Sequence, residues 1–481
     1  MFKIEINHVI LRGKKDFLLV TCCALVLAGC GSSNSGGSEA EANSRGDSEW
    51  QQVTIAELSN TGLLTSQIKV EIDSSDNAHF VYFDSYENNE GSDEESRYEL
   101  KHLVWNMATS ELLAGDLPES VVSLDNSADI ALAINPDTDS IYTTYRGGGF
   151  RECNADIQSD AMFSVKEAGV WNEYTAAIGE VERNPVINDG LAGDDLSIAI
   201  DSSGNVHIAY QFFYEGCDAM NSRYPDIKYV RKEAGDFAST APEQMVEGND
   251  YDNSNDQNNA GSHNVMVLDG DENPVIFYYA ELSNGTEGLR VARLQNNQWH
   301  KEWVETSCEI GGISAAYSDE EFLGVAYYIV RCDDLDGDNV YETHALRYAD
   351  NSSGSWAIQT VDDSTKTGKH PSLSFDEDGL PAIAYYQLES YSGRELNNLY
   401  LSRFYSYVSP NTDDGLTDSL VNESSEDEPV DVPVISGWRT ETVAETGNIG
   451  LYNSLWFDLG GKAHISSYSS TAETIYLFNE L

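Results

Sequence analysis

The strongest constraint in this 481-residue chain is one short pattern that is repeated seven times. Its clearest copy, residues 196–210, reads LSIAIDSSGNVHIAY: an apolar run, a polar stretch from Asp201 to Asn205, and a second apolar run that ends in Tyr210. Asp, Gly, Asn and Ser favour tight turns, because they tolerate positive φ or hydrogen-bond their own backbone. Each copy therefore predicts two strands joined by a turn. We call the first residue of each turn its anchor, and the seven anchors are Asp73, Asn135, Asp201, Asp269, Ser318, Asp376 and Asp458.

Each copy is long enough for two more strands. After the Tyr come a loop, a segment such as residues 226–231 (DIKYVR), and often a segment led by Trp, such as residues 438–443. The steps between anchors range from 49 residues, between Asp269 and Ser318, to 82 residues, between Asp376 and Asp458. A repeat of this length that carries strand pairs is typical of a β-propeller. We therefore expect an all-β, seven-bladed propeller with four antiparallel strands in each blade.

The two ends of the propeller predict how its ring closes. Asp458 lies only 23 residues before the end of the chain, which leaves no room for a fourth strand in the last blade. Residues 50–58 (WQQVTIAEL) have the pattern of a fourth strand and precede the first anchor. We expect this N-terminal strand to complete the last blade, which would cover strand edges that otherwise favour aggregation.

Residues 1–29 have the composition of a targeting segment. Basic residues precede an apolar run, residues 17–29, that is too short to span a bilayer as a helix. The run ends in Leu-Ala-Gly before Cys30 and resembles a lipobox, in which the cysteine is lipidated; an ordinary secretory signal with an incidental cysteine is the alternative. Gly31 follows, and the resemblance to Gram-negative lipoproteins implies a lipid anchor in the outer membrane.

Composition divides the rest of the chain into a linker, a propeller and one insertion. Residues 30–48 are rich in Gly, Ser and Glu and are expected to form a flexible tether. The propeller is expected over residues 49–481, with a loop insertion at residues 409–437 that holds eight acidic residues and no Lys or Arg. The formal net charge of −55 repels phosphate backbones and excludes nucleic acid as a partner.

Four of the seven cysteines lie beyond the targeting segment and Cys30, and an even number in an exported protein predicts disulfides. Their places in the repeat favour two bridges between loops on one face of the ring. The preferred pairs are Cys153–Cys217 and Cys308–Cys332. A zinc site is the alternative, although no CxxC or paired-histidine spacing supports it.

The same face gathers the candidate ligand-binding residues. Arg146 and Arg151 flank three glycines and could hold a carboxylate or sulfate, or they could be surface residues of a turn. His263 and His370 lie just before predicted first strands, where side chains often face the central channel of a propeller. Tyr214 is a further candidate, since a lyase would need a Tyr or His base. Three other histidines recur beside the turn, which indicates a structural role: His79, His207 and His464.

An acidic stretch after Cys332 is the best candidate for a metal site. Asp334, Asp336 and Asp338 alternate around a glycine, and calcium prefers such hard oxygen ligands. The EF-hand pattern fails, because Ala345 stands where its glutamate would be. The expectation is a calcium site, with an acidic solvated turn as the alternative.

The repeated unit D-x-x-G-x-x-H-x-x-Y, seen in Asp201, Gly204, His207 and Tyr210, resembles that of secreted bacterial propeller proteins, some of which are polysaccharide lyases. The turns also resemble the S-x-D-x-G-x-T-W boxes of sialidase-like propellers, without their Thr-Trp end. The resemblance implies a fold and does not choose a function. No catalytic motif is present, so we expect a ligand-binding lipoprotein, for a glycan, peptide or partner protein. The alternatives are a polysaccharide lyase or glycosidase and a structural scaffold of the envelope.

The lipobox gives the first testable prediction. Replacing Cys30 by Ser should leave the protein without lipid and remove it from the membrane fraction, because the thiol is the atom that would be acylated. Detergent partition of the wild type and of Cys22→Ser, a control at a cysteine inside the targeting segment, makes the comparison. Equal membrane retention of the Cys30 variant would contradict the lipobox.

Overall fold

The structure, a computed structural model, contains seven antiparallel β-sheets, and the residues that it describes include no helix. No helix in this described part is therefore long and apolar enough to cross a membrane. We call the sheets blades 1 to 7 and their strands A to D from the centre of the ring outward. The described residues are 48–58, 67–86, 97–113, 118–124, 129–147, 159–167, 169–178, 190–214, 225–248, 258–333, 340–341, 344–364, 366–391, 394–408, 434–445 and 448–481.

Strands A to D follow one another along the chain in blades 1 to 6, whereas in blade 7 strand D comes first in the chain. In blades 1 and 2 they are Ile68–Ile72, Asn77–Tyr86, Arg97–Asn106 and Glu119–Leu124, then Ile130–Ile134, Ile141–Gly147, Asp160–Glu167 and Val170–Ala177. In blades 3 and 4 they are Gly190–Ile200, Val206–Tyr214, Asp226–Lys232 and Gln244–Glu247, then Asn259–Leu268, Pro274–Glu281, Glu287–Gln295 and Gln298–Thr306. In blades 5 and 6 they are Cys308–Tyr317, Leu323–Asp333, Ala345–Asp350 and Ala357–Asp362, then Thr367–Phe375, Pro381–Tyr391, Arg394–Val408 and Val434–Ala444. Blade 7 has Ile449–Phe457, Ala463–Ser469, Thr474–Glu480 and Trp50–Glu57; the short strands Glu111–Leu112 and Val340–Tyr341 extend blades 1 and 5.

The blades form a closed ring. Strand A of every blade contacts strand A of the next, including blade 7 with blade 1. The N-terminal strand is strand D of blade 7, with Trp50 opposite Glu480 and Glu57 opposite Thr474. The predicted seven-bladed propeller, and its closure by the N-terminal strand, are confirmed.

The hydrophobic core lies between neighbouring blades. Between blades 4 and 5, for example, Phe277 and Val291 of one sheet pack with Val325 and Ile329 of the next, and all four side chains are fully buried. Strands B and C are therefore apolar on both faces, because each face of a central strand meets a different blade. This is why the repeats show continuous apolar runs and little polar alternation.

Three predicted positions need correction. Cys308 and Cys332 form the predicted disulfide, but both lie within strands A and B of blade 5, directly opposite each other, and not in loops. His263 and His370 lie inside strand A of blades 4 and 6, and not before it. The acidic insertion ends earlier than predicted, since residues 434–437 belong to the strand Val434–Ala444. The predicted Cys153–Cys217 bridge, residues 409–433 of the acidic insertion and residues 1–47, which include Cys30, lie outside the described residues.

Side-chain hydrogen bonds hold the anchor turns. In all five turns that begin with Asp, the anchor Oδ1 accepts the backbone N–H of the residue four positions later, at 2.8–2.9 Å. The anchor N–H in turn donates to the carbonyl of that same residue, as in Asp201 to Asn205 at 3.1 Å. Asn135 and Ser318 use their side-chain oxygens for shorter-range bonds to Asp137 and Glu320. The anchor thus satisfies backbone groups that the reversal leaves unpaired.

The three recurrent histidines have the structural role that the repeats indicate. In blades 1, 3 and 7 the histidine Nε2 lies 3.1–3.3 Å from the anchor carboxylate, in the pairs His79–Asp73, His207–Asp201 and His464–Asp458. All three imidazoles are buried.

The tyrosine that ends the repeat joins neighbouring blades. Its hydroxyl donates to a carboxylate of strand D in the preceding blade, at 2.6–2.7 Å, in the pairs Tyr278–Glu247, Tyr327–Glu305 and Tyr385–Asp362. These three tyrosines are fully buried. Each bond satisfies a carboxylate near the interface between two sheets, so the acidic composition supports the interfaces as well as the surface.

Removing one such hydroxyl should weaken the ring. In Tyr327→Phe the Glu305 carboxylate keeps its ion pair with Arg347 but loses one donor, and a hydrogen bond to a charged group contributes about 1.5–3 kcal/mol. We expect the free energy of unfolding to fall by an amount in that range, measured in urea. The matched control is Tyr98→Phe, because the half-buried Tyr98 makes no hydroxyl hydrogen bond to another described residue. An equal fall in the free energy of unfolding in both variants would contradict a stabilising role of the Tyr327–Glu305 hydrogen bond.

Candidate functional site

Seven equivalent residues surround one end of the central channel. Each lies six positions before an anchor, one in each blade, and all seven line a cavity of about 300 Å³. We call them the ring residues; they are Gln67, Asp129, Asp195, His263, Gly312, His370 and Tyr452. Neighbouring residues such as Lys69, Asn264 and Asn453 complete the wall. Concave sites where several polar groups converge are the usual places for ligands.

Four ring residues have an unusual backbone conformation. Asp195, His263, His370 and Tyr452 have φ between 43° and 57°, in the left-handed region. This conformation costs a residue other than glycine about 1–2 kcal/mol. In each case strand A is irregular at this point, because it has two more residues than the segment of strand B that it pairs with. The repeated irregularity turns the same position of four blades out of the strand and into the cavity wall.

A glycine two positions earlier makes room for each irregularity. Gly261 and Gly368, which precede His263 and His370, have φ of 103° and 95°. A Cβ at Gly261 would lie 2.8 Å from the Cβ of Ile227, in strand C of the preceding blade. Gly193 and Gly450 occupy the equivalent positions in blades 3 and 7. The glycines therefore let strand A approach the neighbouring blade closely while it bends.

Hydrogen bonds connect ring residues of successive blades. The Asp129 carboxylate accepts from the Gln67 side-chain amide and, at 2.8 Å, from the Asp195 backbone N–H. These contacts link blades 1, 2 and 3. Amide side chains next to the ring continue the pattern: Asn264 accepts from Ser197 Oγ at 2.6 Å, and Asn453 Nδ2 donates to the His370 carbonyl at 3.0 Å.

Burial determines the charge of the site. It raises the pKa of Asp195 to about 7, and the negative charge of Asp129 adds to the rise. Burial also lowers the pKa of His370 to about 4, with the help of the charges on Lys369 and Lys69. Desolvation also lowers the pKa values of His263 and Lys69. Both side chains are exposed to the cavity, so the desolvation comes from the many atoms of the surrounding blades and not from complete enclosure.

The predicted site residues are only partly brought together. His263 and His370 both line the cavity. Arg146, at the end of strand B of blade 2, pairs with the Asp194 carboxylate and is not among the lining residues. Tyr214 ends strand B of blade 3, and its side chain lies outside the described residues, as do Arg151 and the acidic stretch of Asp334, Asp336 and Asp338.

The described cavity wall has no evident metal centre. Among the residues that the structure describes, no group of three or more His, Cys, Asp or Glu side chains is arranged to hold a metal ion. The calcium expectation concerns residues 334–338, which lie outside this part of the chain, and it stays a prediction.

Four ring residues were not predicted from the sequence: Gln67, Asp129, Asp195 and Tyr452. A signal was present, because Gly-x-Asp, Gly-x-His, Gly-x-His and Gly-x-Tyr stand at the same distance before four anchors. Alignment of the copies upstream of the turn would have found these positions. Gln67 and Asp129 have no glycine two positions before them, so only their distance of six residues from the anchor identifies them as ring residues.

Comparison with known proteins gives a likeness of fold alone. No family model matches the chain, and no curated protein sequence matches it. A protein of unknown function from Dyadobacter fermentans is 9% identical, with a TM-score of 0.46, over 73% of this chain and 98% of that one. A Hadza microbial sialidase is 11% identical, with a TM-score of 0.43, over 81% of this chain and 73% of that one. Trypanosoma rangeli sialidase is 10% identical, with a TM-score of 0.41, over 76% of this chain, which spans 56% of that sialidase.

Asp195 should give the protein a distinctive pH dependence. Its pKa is about 7 in the folded chain and about 3.9 in an unfolded one, so the folded state binds more protons between pH 4 and 7. Stability from this group is present at low pH and is lost as pH rises to 7, at about 1.4 kcal/mol for each pKa unit. Asp195→Asn removes the effect.

The measurement is the free energy of unfolding of wild type and Asp195→Asn from pH 4 to 8. The variant should gain stability relative to the wild type as pH rises to 7, and the difference should then level off. The control is Asp137→Asn, at an exposed anchor turn of blade 2. It shows how the loss of one surface carboxylate changes the free energy of unfolding over the same pH range. A difference between Asp195→Asn and wild type that stays constant over the range would contradict the burial of this carboxyl.

Proposed function

We propose that this chain is an envelope lipoprotein, anchored through Cys30 in the outer membrane, whose propeller binds a small ligand in the ring cavity without changing it chemically. The observation that carries the proposal is the left-handed backbone of Asp195, His263, His370 and Tyr452. Strain of this kind persists only where the surrounding structure imposes it, and it concentrates at functional sites. Closure of the ring does not by itself require this strained backbone conformation in four blades.

The composition of the wall supports binding more than catalysis. Carboxyl, ammonium, imidazole, phenol and amide groups meet around one space, which suits recognition of a polar ligand. The described lining residues include no Ser, Thr or Cys, which are the usual hydroxyl and thiol nucleophiles. A pair of Ser or Cys with a neighbouring base, as many hydrolases use, is therefore not formed by these residues.

Hydrolysis of a glycosidic bond is the second candidate function, and one observation favours it. Two carboxyl groups of neighbouring blades, Asp129 and Asp195, lie in the cavity wall, and the pKa of Asp195 is raised to about 7. A carboxyl with a raised pKa beside a second carboxylate is the pattern of acid and base in glycosidases. A polysaccharide lyase is less well supported, because Lys69 is the one Lys or Arg among the described lining residues that could neutralise a substrate carboxylate.

A ligand screen with ring variants tests the proposal. Thermal melting of the mature protein is recorded with soluble neutral and acidic glycans and with peptides. A ligand at a hundred times its dissociation constant stabilises the folded state by about 2.7 kcal/mol. We expect at least one compound to raise the melting temperature of the wild type and to lose this effect in Asp195→Asn and His370→Phe.

The same samples distinguish binding from hydrolysis. Release of reducing ends by the wild type, and its loss in Asp195→Asn, would establish the enzyme and overturn the non-catalytic proposal. Arg439→Ala, on the exposed outer strand of blade 6, is the control for a charge removed far from the cavity. A ligand that stabilises the ring variants and the wild type equally would place the binding site elsewhere.

A further inference from the structure

The ring of side chains around the cavity has one gap. Six of the seven ring residues carry a side chain, and in blade 5 the equivalent residue is Gly312. The gap is therefore on one side of the cavity, between the ring residues of blades 4 and 6, which are His263 and His370.

The fold does not require a glycine at position 312. Its φ is not in the left-handed region, unlike the glycines that precede the strained ring residues. A Cβ there would have one close neighbour, the Cδ of Pro371 at 3.3 Å, which is a tight contact that a shift of a few tenths of an ångström would relieve. The adjacent Gly311 is different, because a Cβ would lie 2.7 Å from Val330 and 2.8 Å from Tyr328. Packing thus explains Gly311, whereas the missing side chain of Gly312 only leaves space in the cavity.

The two imidazoles beside the gap are available to a ligand. Neither His263 nor His370 makes a side-chain hydrogen bond to another described residue. The His370 ring packs against the Tyr452 ring, with centroids 4.8 Å apart and planes at 58°. The Asn453 side-chain amide donates a hydrogen bond of 3.0 Å to the His370 carbonyl oxygen. This bond fixes the backbone that carries the imidazole. The gap therefore has hydrogen-bonding groups on two sides and an aromatic ring next to one of them.

The charges around the gap select against anions. The low pKa of His370 keeps its imidazole neutral at pH 7, and burial lowers the pKa of His263 as well. Lys69 is the one ammonium among the described lining residues, and the carboxylates of Asp129 and Glu71 both act on it. A neutral imidazole offers one donor and one acceptor, which is the requirement of a hydroxyl group.

We propose that the space left by Gly312, between His263 and His370, receives one neutral sugar residue, whose hydroxyl groups bond the two imidazoles. This inference rests on the proposed function, since it names the ligand class of the same cavity. A volume of about 300 Å³ suits a single ring, so the sugar would be a monosaccharide or the terminal residue of a longer glycan.

Filling the gap is the direct test. Gly312→His places in blade 5 the side chain that blades 4 and 6 already carry, at a backbone conformation that accepts it. The probes are methyl glycosides of glucose, galactose, mannose and N-acetylglucosamine, with glucuronate and N-acetylneuraminate as acidic probes. Binding is measured at pH 7.5 by saturation-transfer NMR and titration. We expect at least one neutral glycoside to bind the wild type, and its affinity to fall at least tenfold in Gly312→His and in His370→Phe.

A matched variant controls for the substitution itself. Gly437→His makes the same change in outer strand D of blade 6, where a Cβ would have ordinary contact with the Tyr405 hydroxyl at 3.4 Å. Its affinity for the glycoside should equal that of the wild type. Melting temperatures of the variants show whether lost binding reflects lost folding, and His370→Gln provides a second, smaller change if Gly312→His does not fold.

Failure of this inference differs from failure of the proposed function. If acidic probes or peptides bind, neutral glycosides do not, and Asp195→Asn abolishes the binding, the cavity is a ligand site but the sugar class is wrong. Unchanged neutral-glycoside affinity in Gly312→His would show that the gap is not the site. Loss of glycoside binding on addition of EDTA would show that the imidazoles act through a metal ion, which also overturns direct recognition. If no probe or peptide binds in the cavity, both proposals fail.

Discussion

The rest of the structure depends on a hydrogen bond inside each anchor turn. The Oδ1 atom of an anchor such as Asp201 accepts the N–H of Asn205 and so fixes which residues of strands A and B oppose each other. A shift of one residue would turn every side chain to the other face of the sheet. The five Asp anchors set the register in this way, and Asn135 and Ser318 hold their turns by shorter-range bonds, so residues six positions before an anchor reach the same cavity in every blade. The cavity wall, with one residue from each blade, is a consequence of the turns at the opposite end of the strands.

The acidic composition is compatible with this fold because many carboxylates have a specific structural partner. Anchor carboxylates accept backbone N–H groups, and Glu247, Glu305 and Asp362 accept tyrosine hydroxyls across blade interfaces. A partly buried carboxylate is destabilising when it lacks donors and acceptable when it has them. The repeat supplies both the acid and its donor, which explains how a chain with a formal charge of −55 builds seven close interfaces.

The sequence predicted the parts of this structure that depend on local chemistry. The turns, the number of blades, the closing strand and the Cys308–Cys332 bridge follow from residue types and spacing, which act within one copy or between known neighbours. The bend of strand A could not be predicted in this way, because it depends on contact with the preceding blade, as between Gly261 and Ile227. The sequence alone does not show that contact. It therefore suggests that His263 and His370 precede a strand, and that Asp195 and Tyr452 are ordinary strand residues.

Closure of the ring by the strand Trp50–Glu57 has a consequence for biosynthesis. Among the described strands, the outermost strand of blade 7 comes first in the chain and its hydrogen-bonding partner, Thr474–Glu480, comes last, so the first is synthesised well before the second. Six blades can assemble from segments that are close in the chain, but the seventh joins segments from the two ends of the propeller, and such pairings form slowly. Until then the early strand has an unsatisfied edge, which a chaperone or the strand of another copy can occupy. The ring therefore cannot close before the strand Thr474–Glu480 has been synthesised, and until then the edge of Trp50–Glu57 is open to competing strands.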